Sequence, residues 1–259
     1  MYKIQPKTLF LGRNVIYLPS CHSTNDSALE IIQLNPPIEG TVVITDNQTA
    51  GRGQRGASWE ATSHQNLTFS LILYPTFISA HQQFKLNQAI SLGINAFLRK
   101  KGIQDAWVKW PNDMYVGEKK IGGILIENSL YGSTLKTSIV GIGLNIKQLS
   151  FENPKATSLA LVLQQFDISL SVCLEEVIEE IDRYYQLVAD TSNWALIHQL
   201  YESHLLGIGQ KRDYLDESGN RFRGVIRGVH PAGLLQIERE DGTLQLFDLK
   251  QVAFCFQDE

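Results

Sequence analysis

The chain of 259 residues is poor in cysteine, and its three, Cys21, Cys173 and Cys255, are widely spaced with no C-x-x-C. An odd, scattered set of thiols excludes a disulfide framework and argues against a cysteine-built zinc site. Six histidines give no H-E-x-x-H string, so that metal-protease pattern is missing too. Positive charge is not in excess: 23 Lys+Arg against 27 Asp+Glu leave a net charge of −4. No nucleic-acid partner is therefore expected from a large positive field. No run of about 18 uncharged apolar residues occurs, so no membrane partner is expected. Met1 to Phe10 lacks the apolar core of a signal peptide, and a cytoplasmic protein is the expectation. No repeat or low-complexity stretch is visible. What is present is 43% hydrophobic and 19% charged residues, the balance of a packed core. The length suits one large domain with a small one.

Hydrophobic periodicity predicts the elements. Ile16 to Leu18 reads as a strand. Ser23-Thr24-Asn25 offers helix-capping chemistry, with Ser27 and Glu30 spaced as a capping box, and the apolar stripe that follows stops at Pro36-Pro37. Thr41 to Thr45 and Leu67 to Tyr74 read as strands around a polar, glycine-rich stretch. Leu86, Ile90, Ile94, Phe97 and Leu98 predict a long helix ending near Lys101-Gly102. Val108 to Trp110 is a short strand or loop, and Ile121 to Glu127 and Leu135 to Gly143 are further strands. Helices are expected over Leu174 to Val188 and Trp194 to Leu206. After Gly207 helical spacing disappears, and four short strands are punctuated by glycines. This places a first domain over 1–207 and a small all-β domain over 208–259. The fold class is α+β, a mixed β-sheet packed by helices.

Two clusters carry chemistry. Gly51-Arg52-Gly53-Gln54-Arg55-Gly56 matches G-x-G-x-x-G, but a strand follows where a dinucleotide fold needs a helix. No Gly-Lys-Ser/Thr follows either, so it is not a Walker loop. What remains is backbone N–H groups exposed by glycines and two arginines, chemistry suited to phosphate or carboxylate, or else a plain surface hairpin. Lys109-Trp110-Pro111-Asn112-Asp113 sets a lysine beside a tryptophan and a rigid turn. Alone it reads as turn chemistry.

In order, the chain holds Ser23-Thr24-Asn25, Gln48-Thr49-Ala50-Gly51-Arg52-Gly53, Lys109 to Asp113, Lys120 to Glu127 and Gly141 to Asn145. This series resembles the biotin protein ligases, over about residues 15–165 by motif. The resemblance implies a class II synthetase-like catalytic fold and a small C-terminal SH3-like barrel. It implies an ATP-dependent ligase that makes biotinyl-5′-AMP, with Mg2+ accompanying ATP. Biotin then passes to a lysine of a biotin carboxyl carrier protein domain, as in acetyl-CoA carboxylase. Lys109 and Arg52 become the catalytic candidates, since joining two anions calls for cations and backbone donors. Ser23, Thr24, Asn25 and Gln48 are neutral and can both donate and accept, as a ureido ring requires. Arg52, Gly53, Gln54, Lys109, Gly141 and Gly143 complete the implied biotin site. Arg55, Asn112, Lys120 and Asn145 are the nucleotide candidates. Trp59 either closes the biotin pocket or anchors the loop, Phe151 is available to cover a purine, and Asp113 either supports magnesium or holds the turn. No metal ligand is assigned.

One departure stands out. Many relatives carry a second arginine where this chain has Gln54, and Ala57 and Ser58 follow Gly56 in place of further basic residues. Some family members also carry an N-terminal DNA-binding domain. The stretch before Ser23 is too short for one, so a ligase that is not a transcriptional repressor is expected. The alternatives are a lipoate or octanoate ligase of the same fold, and a non-catalytic biotin-binding module.

Overall fold

The computed structural model describes residues 2 and 4–256, with the Arg55 side chain left aside. A seven-stranded mixed sheet runs in the order β1-β2-β3-β7-β6-β5-β4. Its strands are β1 (Val15–Cys21), β2 (Thr41–Gln48), β3 (Asn66–Leu73), β4 (Ala106–Lys109), β5 (Asp113–Val116), β6 (Lys119–Tyr131) and β7 (Thr134–Asn145). Helix α1 (Thr24–Leu34) crosses between β1 and β2, the one parallel pair, as parallel neighbours require. All other pairs in this sheet are antiparallel.

β3 is buried along its whole length, and its alternation assigns its two faces. Leu67, Phe69, Leu71 and Leu73 join the main core with α2 (Phe84–Lys100) and α4 (Leu170–Ala189). Ile72 packs on the other face with Ala28, Val43 and Ile139. That face is only partly covered by α1, and it carries Thr68 and Ser70, paired with Gly143 and Gly141 of β7. Helices α2 and α4 approach closely at Gly93, where a Cβ would lie 2.7 Å from the Ile181 backbone. Glycine is what allows that approach.

Two short helices complete the first unit, α3 (Leu159–Leu163) and α5 (Trp194–Ser203). α3 is a single turn, too short for its period to show in the sequence. β5 is also new: Asp113, read as turn chemistry, opens a strand. Helix α1 begins at Thr24 with Ser23 as its N-cap, so Ser27 and Glu30 lie inside the helix and do not start it. No helix among the described residues is long and apolar enough to cross a membrane.

The second sheet is antiparallel, in the order β11-β10-β9-β8-β12. Its strands are β8 (Lys211–Asp216), β9 (Arg221–Val229), β10 (Leu235–Arg239), β11 (Leu244–Phe247) and β12 (Val252–Phe254). Four of these are the strands expected after Gly207. The fifth, β12, is three residues long and carries no readable alternation. These five antiparallel strands make the small C-terminal unit of the expected α+β fold, with no pairing between β11 and β12 among the described residues.

Candidate active site

The uncovered end of the first sheet holds a cleft of about 530 Å³. Ser23, Thr24, Asn25, Gln48, Arg52, Gly53, Gln54, Trp59, Lys109, Asn112, Asp113, Lys120, Gly141 and Gly143 all line it. Residues predicted from five separate stretches are thus brought together. Asn145 and Phe151 are not in the lining, and the Arg55 side chain lies outside what the structure describes.

The deep end is neutral and cross-linked. The Thr24 N–H donates to Gln48 Oε1 at 2.9 Å, and Gln48 Oε1 also lies 3.4 Å from Thr24 Oγ1. Ser70 Oγ sits 2.8 Å from Thr24 Oγ1 and 2.6 Å from Asn25 Oδ1. Asn25 Nδ2 donates to Glu127 Oε2 at 2.6 Å. Buried polar groups survive only when paired in this way. The neighbouring sheet surface has no side chain at Gly141 and Gly143. A Cβ at Gly141 would collide with the Asn25 carboxamide, and one at Gly143 with the Trp59 indole. These glycines therefore make room for two named side chains, a tighter requirement than general backbone access.

The glycine-rich loop folds as a tight hairpin. Gly53 N–H donates to Ala57 O at 2.6 Å, and Trp59 N–H to Gly51 O at 2.9 Å. Gln148, almost fully buried, anchors the stretch that follows, accepting from the Thr62 N–H at 3.0 Å and donating to Ser150 O at 2.7 Å. Arg52 reaches Asp26 at 2.7 Å and Glu127 at 3.0 Å. Its charge is met by two carboxylates, and it tethers the loop to α1 and β6. Glu127 Oε2 accepts from both Arg52 and Asn25, so one oxygen links the loop to the neutral pocket.

Lys109 ends β4 and faces Asp113 of β5 in register. The turn between them is fastened from four sides. Trp110 Nε1 donates to Gly233 O at 2.8 Å. Pro111 O accepts from Asn87 Nδ2 at 2.7 Å and from the Tyr201 hydroxyl at 2.8 Å. Asn112 donates its side-chain amide to Ile124 O. That amide is committed to the backbone, which makes Asn112 a clamp on the turn. Lys120 Nζ pairs with Asp113 at 2.7 Å and lies 5.6 Å from the Trp59 ring centre. Asn145 Nδ2 donates to Thr157 O at 3.0 Å, and Thr157 N–H donates in turn to Lys120 O at 2.8 Å. Asn145 thus supports the strand of Lys120 from outside the cleft.

Sequence reasoning missed Thr68 and Ser70, which the β3 alternation could have pointed inward, opposite the apolar face. It also missed Glu127 as the partner of Arg52, and the wall formed by Leu249 and Lys250, in the turn before β12, with Val252, Ala253 and Phe254 of β12. Nothing local in that segment marks it.

A mixed sheet with a neutral pocket, a glycine loop and two lysines in one cleft has the layout of a ligase-type α+β enzyme. Comparison with known proteins agrees. Residues 17–145 match the model of the biotin/lipoate A/B protein ligase family. The chain is 32% identical to the bifunctional ligase/repressor BirA of Bacillus spizizenii, over 93% of this chain and 74% of that protein. It is 31% identical to the biotin–[acetyl-CoA-carboxylase] ligase of Paracoccus denitrificans, over 89% and 98%. The biotin protein ligase of Aquifex aeolicus, solved in complex with biotin and ATP, superposes with a TM-score of 0.77 at 25% identity, covering 95% of this chain and 100% of that one. The chain belongs to the biotin/lipoate A/B protein ligase family.

Proposed function

We propose that the chain is an ATP-dependent biotin protein ligase. A carboxylate oxygen of biotin attacks the α-phosphorus of ATP, and the bond to the β-phosphate oxygen breaks. Biotinyl-5′-AMP and pyrophosphate result. A carrier lysine, as the free amine, then attacks the acyl carbon. The acyl–phosphate C–O bond breaks, AMP leaves, and the amine proton goes to solvent. The carrier is the biotin carboxyl carrier domain of a carboxylase; the Paracoccus relative is named for acetyl-CoA carboxylase.

The observation that carries the reading is the neutral network of Thr24, Asn25, Gln48 and Ser70 opening onto Lys109 and Lys120 in one cleft. A ureido ring has N–H donors and a carbonyl acceptor, and these side chains match both. A dithiolane or alkyl chain would cover whatever hydrogen-bonding capacity this network leaves open, at a cost of about 1–3 kcal/mol for each group so buried, which favours biotin over lipoate or octanoate. Ser23 lines the same end. Lys109 and Lys120 flank the place where carboxylate and α-phosphate meet, and their fixed charge offsets the repulsion between two anions. Arg52, held by Asp26 and Glu127, orders the loop, while Gln54 presents its amide to the adenylate and Gly53, its N–H spent on Ala57 O, lets the loop pass close to it. Among the described residues no cluster of three metal-binding side chains occurs. Mg2+ would be carried mainly on the triphosphate, and Asp113, paired with Lys120 in the cleft lining, is the carboxylate that would reach it. Such an ion would neutralise phosphate charge.

The test is biotin-dependent exchange of labelled pyrophosphate into ATP without a carrier, with lipoate and octanoate run in parallel. Exchange with biotin alone supports the reading. Exchange with lipoate or octanoate alone moves the chain to the sister activity, and binding of biotin without exchange makes it a binding module.

A further inference from the structure

We propose that Glu202 of α5 is a positioning residue for the turn between Lys109 and Asp113, acting through the β9–β10 turn of the second sheet. The Val229 N–H donates to Glu202 Oε1 at 2.8 Å, and His198 Nε2 lies 3.3 Å from the same oxygen. Gly228 leaves room for the carboxylate, since a Cβ there would collide with it. Beyond Val229 the turn is closed by two backbone bonds, Gly233 N–H to His230 O at 2.7 Å and His230 N–H to Leu234 O at 2.8 Å. Gly233 O then accepts from Trp110 Nε1 at 2.8 Å. Gly233 also seats the turn on α2, where a Cβ would lie 2.9 Å from the Phe84 ring. Phe84 meets Tyr201 edge-on at 5.4 Å, and the Tyr201 hydroxyl donates to Pro111 O. Two neighbouring residues of α5 thus reach the same turn by two routes, Tyr201 directly and Glu202 through the second sheet.

The physical point is where each fastening acts. Asn87, Tyr201 and the Asn112 amide hold Pro111 O and Asn112. The Trp110 contact holds the end of the turn next to Lys109 in the chain. A backbone N–H on a carboxylate is a charge-assisted bond, stronger than a neutral one. It fixes where the β9–β10 turn begins, and the turn's own bonds carry that placement to the Gly233 carbonyl. The indole bound there is part of the cleft lining. The second sheet thereby gains a role in aiming residues of the first domain, which its sequence does not suggest.

The inference rests on the reading of this cleft as the site of adenylation. The experiment uses the full chain and follows pyrophosphate exchange at saturating biotin and ATP, biotin affinity by calorimetry, and the Trp110 indole N–H by heteronuclear NMR. The chain has four tryptophans, and the indole resonance missing in Trp110→Phe assigns that of Trp110. Glu202→Ala is expected to speed exchange of this N–H with solvent about tenfold. It should also lower kcat about tenfold, since a misplacement of about 1 Å at a reacting group costs on the order of 10²-fold. Biotin affinity should change less than about twofold, because Thr24, Asn25, Gln48 and Ser70 lie on α1, β2 and β3. Glu202→Gln keeps an oxygen for the Val229 N–H and should recover most of both effects. Trp110→Phe removes the indole donor, so adding Glu202→Ala to it should cost nothing more. An indole N–H that ignores Glu202→Ala overturns the inference. So does a changed indole with an unchanged kcat, or losses that multiply in the double variant. If the unaltered chain shows no biotin-dependent exchange, the reading of the site fails, and the positioning role fails with it.

Discussion

Ser70 offers the sharpest test of the neutral pocket. Its hydroxyl is fully buried and bridges Asn25 Oδ1 at 2.6 Å and Thr24 Oγ1 at 2.8 Å. It has a single proton, so it donates to one neighbour and accepts from the other. Ser70→Ala removes both contacts and adds no bulk. Thr24 Oγ1 keeps a long 3.4 Å contact to Gln48, whereas Asn25 Oδ1 loses its hydrogen-bond donor. A buried acceptor left unpaired costs about 1–3 kcal/mol. If the cost falls on ligand binding, the biotin Kd rises about 5- to 150-fold. If it falls on the empty protein, Tm drops by roughly 2–12 °C, at about 2–4 °C per kcal/mol for a chain of this size. Calorimetric titration with biotin and a thermal melt of the free protein measure the two shares. A variant with both its biotin Kd and its Tm unchanged would refute the argument that this hydroxyl holds the carboxamide in place.

Three further outcomes are expected. Gly143→Ala drives a methyl group into the Trp59 indole and should weaken biotin binding at least tenfold, about 1.4 kcal/mol, with indole fluorescence reporting the displaced ring; unchanged fluorescence and affinity would contradict it. Gln54→Arg adds a charge-assisted contact of about 1.5–3 kcal/mol and should slow the escape of biotinyl-5′-AMP about 10- to 150-fold, measured by filter retention of labelled intermediate; equal escape rates would count against a loop that now holds the adenylate by amide and backbone bonds. His198, set between Gln88 and Glu202, has its pKa lowered below 6.5, chiefly by burial, with Lys85 and His230 opposing protonation and Glu202 favouring it. A depressed histidine pKa means that the unfolded chain binds the extra proton. The stability it contributes is therefore full above pH 6.5 and lost as pH falls through its folded-state pKa, and His198→Gln should flatten Tm against pH in that window.

The parts of the fold that were legible are those whose burial repeats at short range. The α2 stripe from Leu86 to Leu98 and the alternation of β3 each encode one buried face, so period alone places them. Single-turn α3, four-residue β5 and three-residue β12 hold too few positions to show a period, and they exist because neighbours pair with them. The N-cap reading of Ser23-Thr24-Asn25 had the right start, since Ser23 has the extended backbone of the N-cap residue, but the capping-box spacing of Ser27 and Glu30 falls inside the helix.

The site divides along the same line, with a functional consequence. Motif residues such as Thr24, Asn25, Lys109 and Gly143 were readable because their chemistry is written in adjacent letters. Ser70 and Glu127 were not, because each acts only through a partner that folding brings to it. Arg52 shows what this means for a catalytic assignment. In the sequence it is a cation beside a glycine loop. In the structure Asp26 and Glu127 meet its charge, which turns it from a candidate for holding anions into the tether of the loop. Glu127 also accepts from Asn25, so the neutral pocket and the glycine-rich loop share one carboxylate oxygen. Filling the neutral pocket and ordering the loop are therefore coupled, and Glu127→Ala should both weaken biotin binding and raise the rate at which adenylate escapes. A variant that changes one of these without the other would show that the shared oxygen carries no coupling.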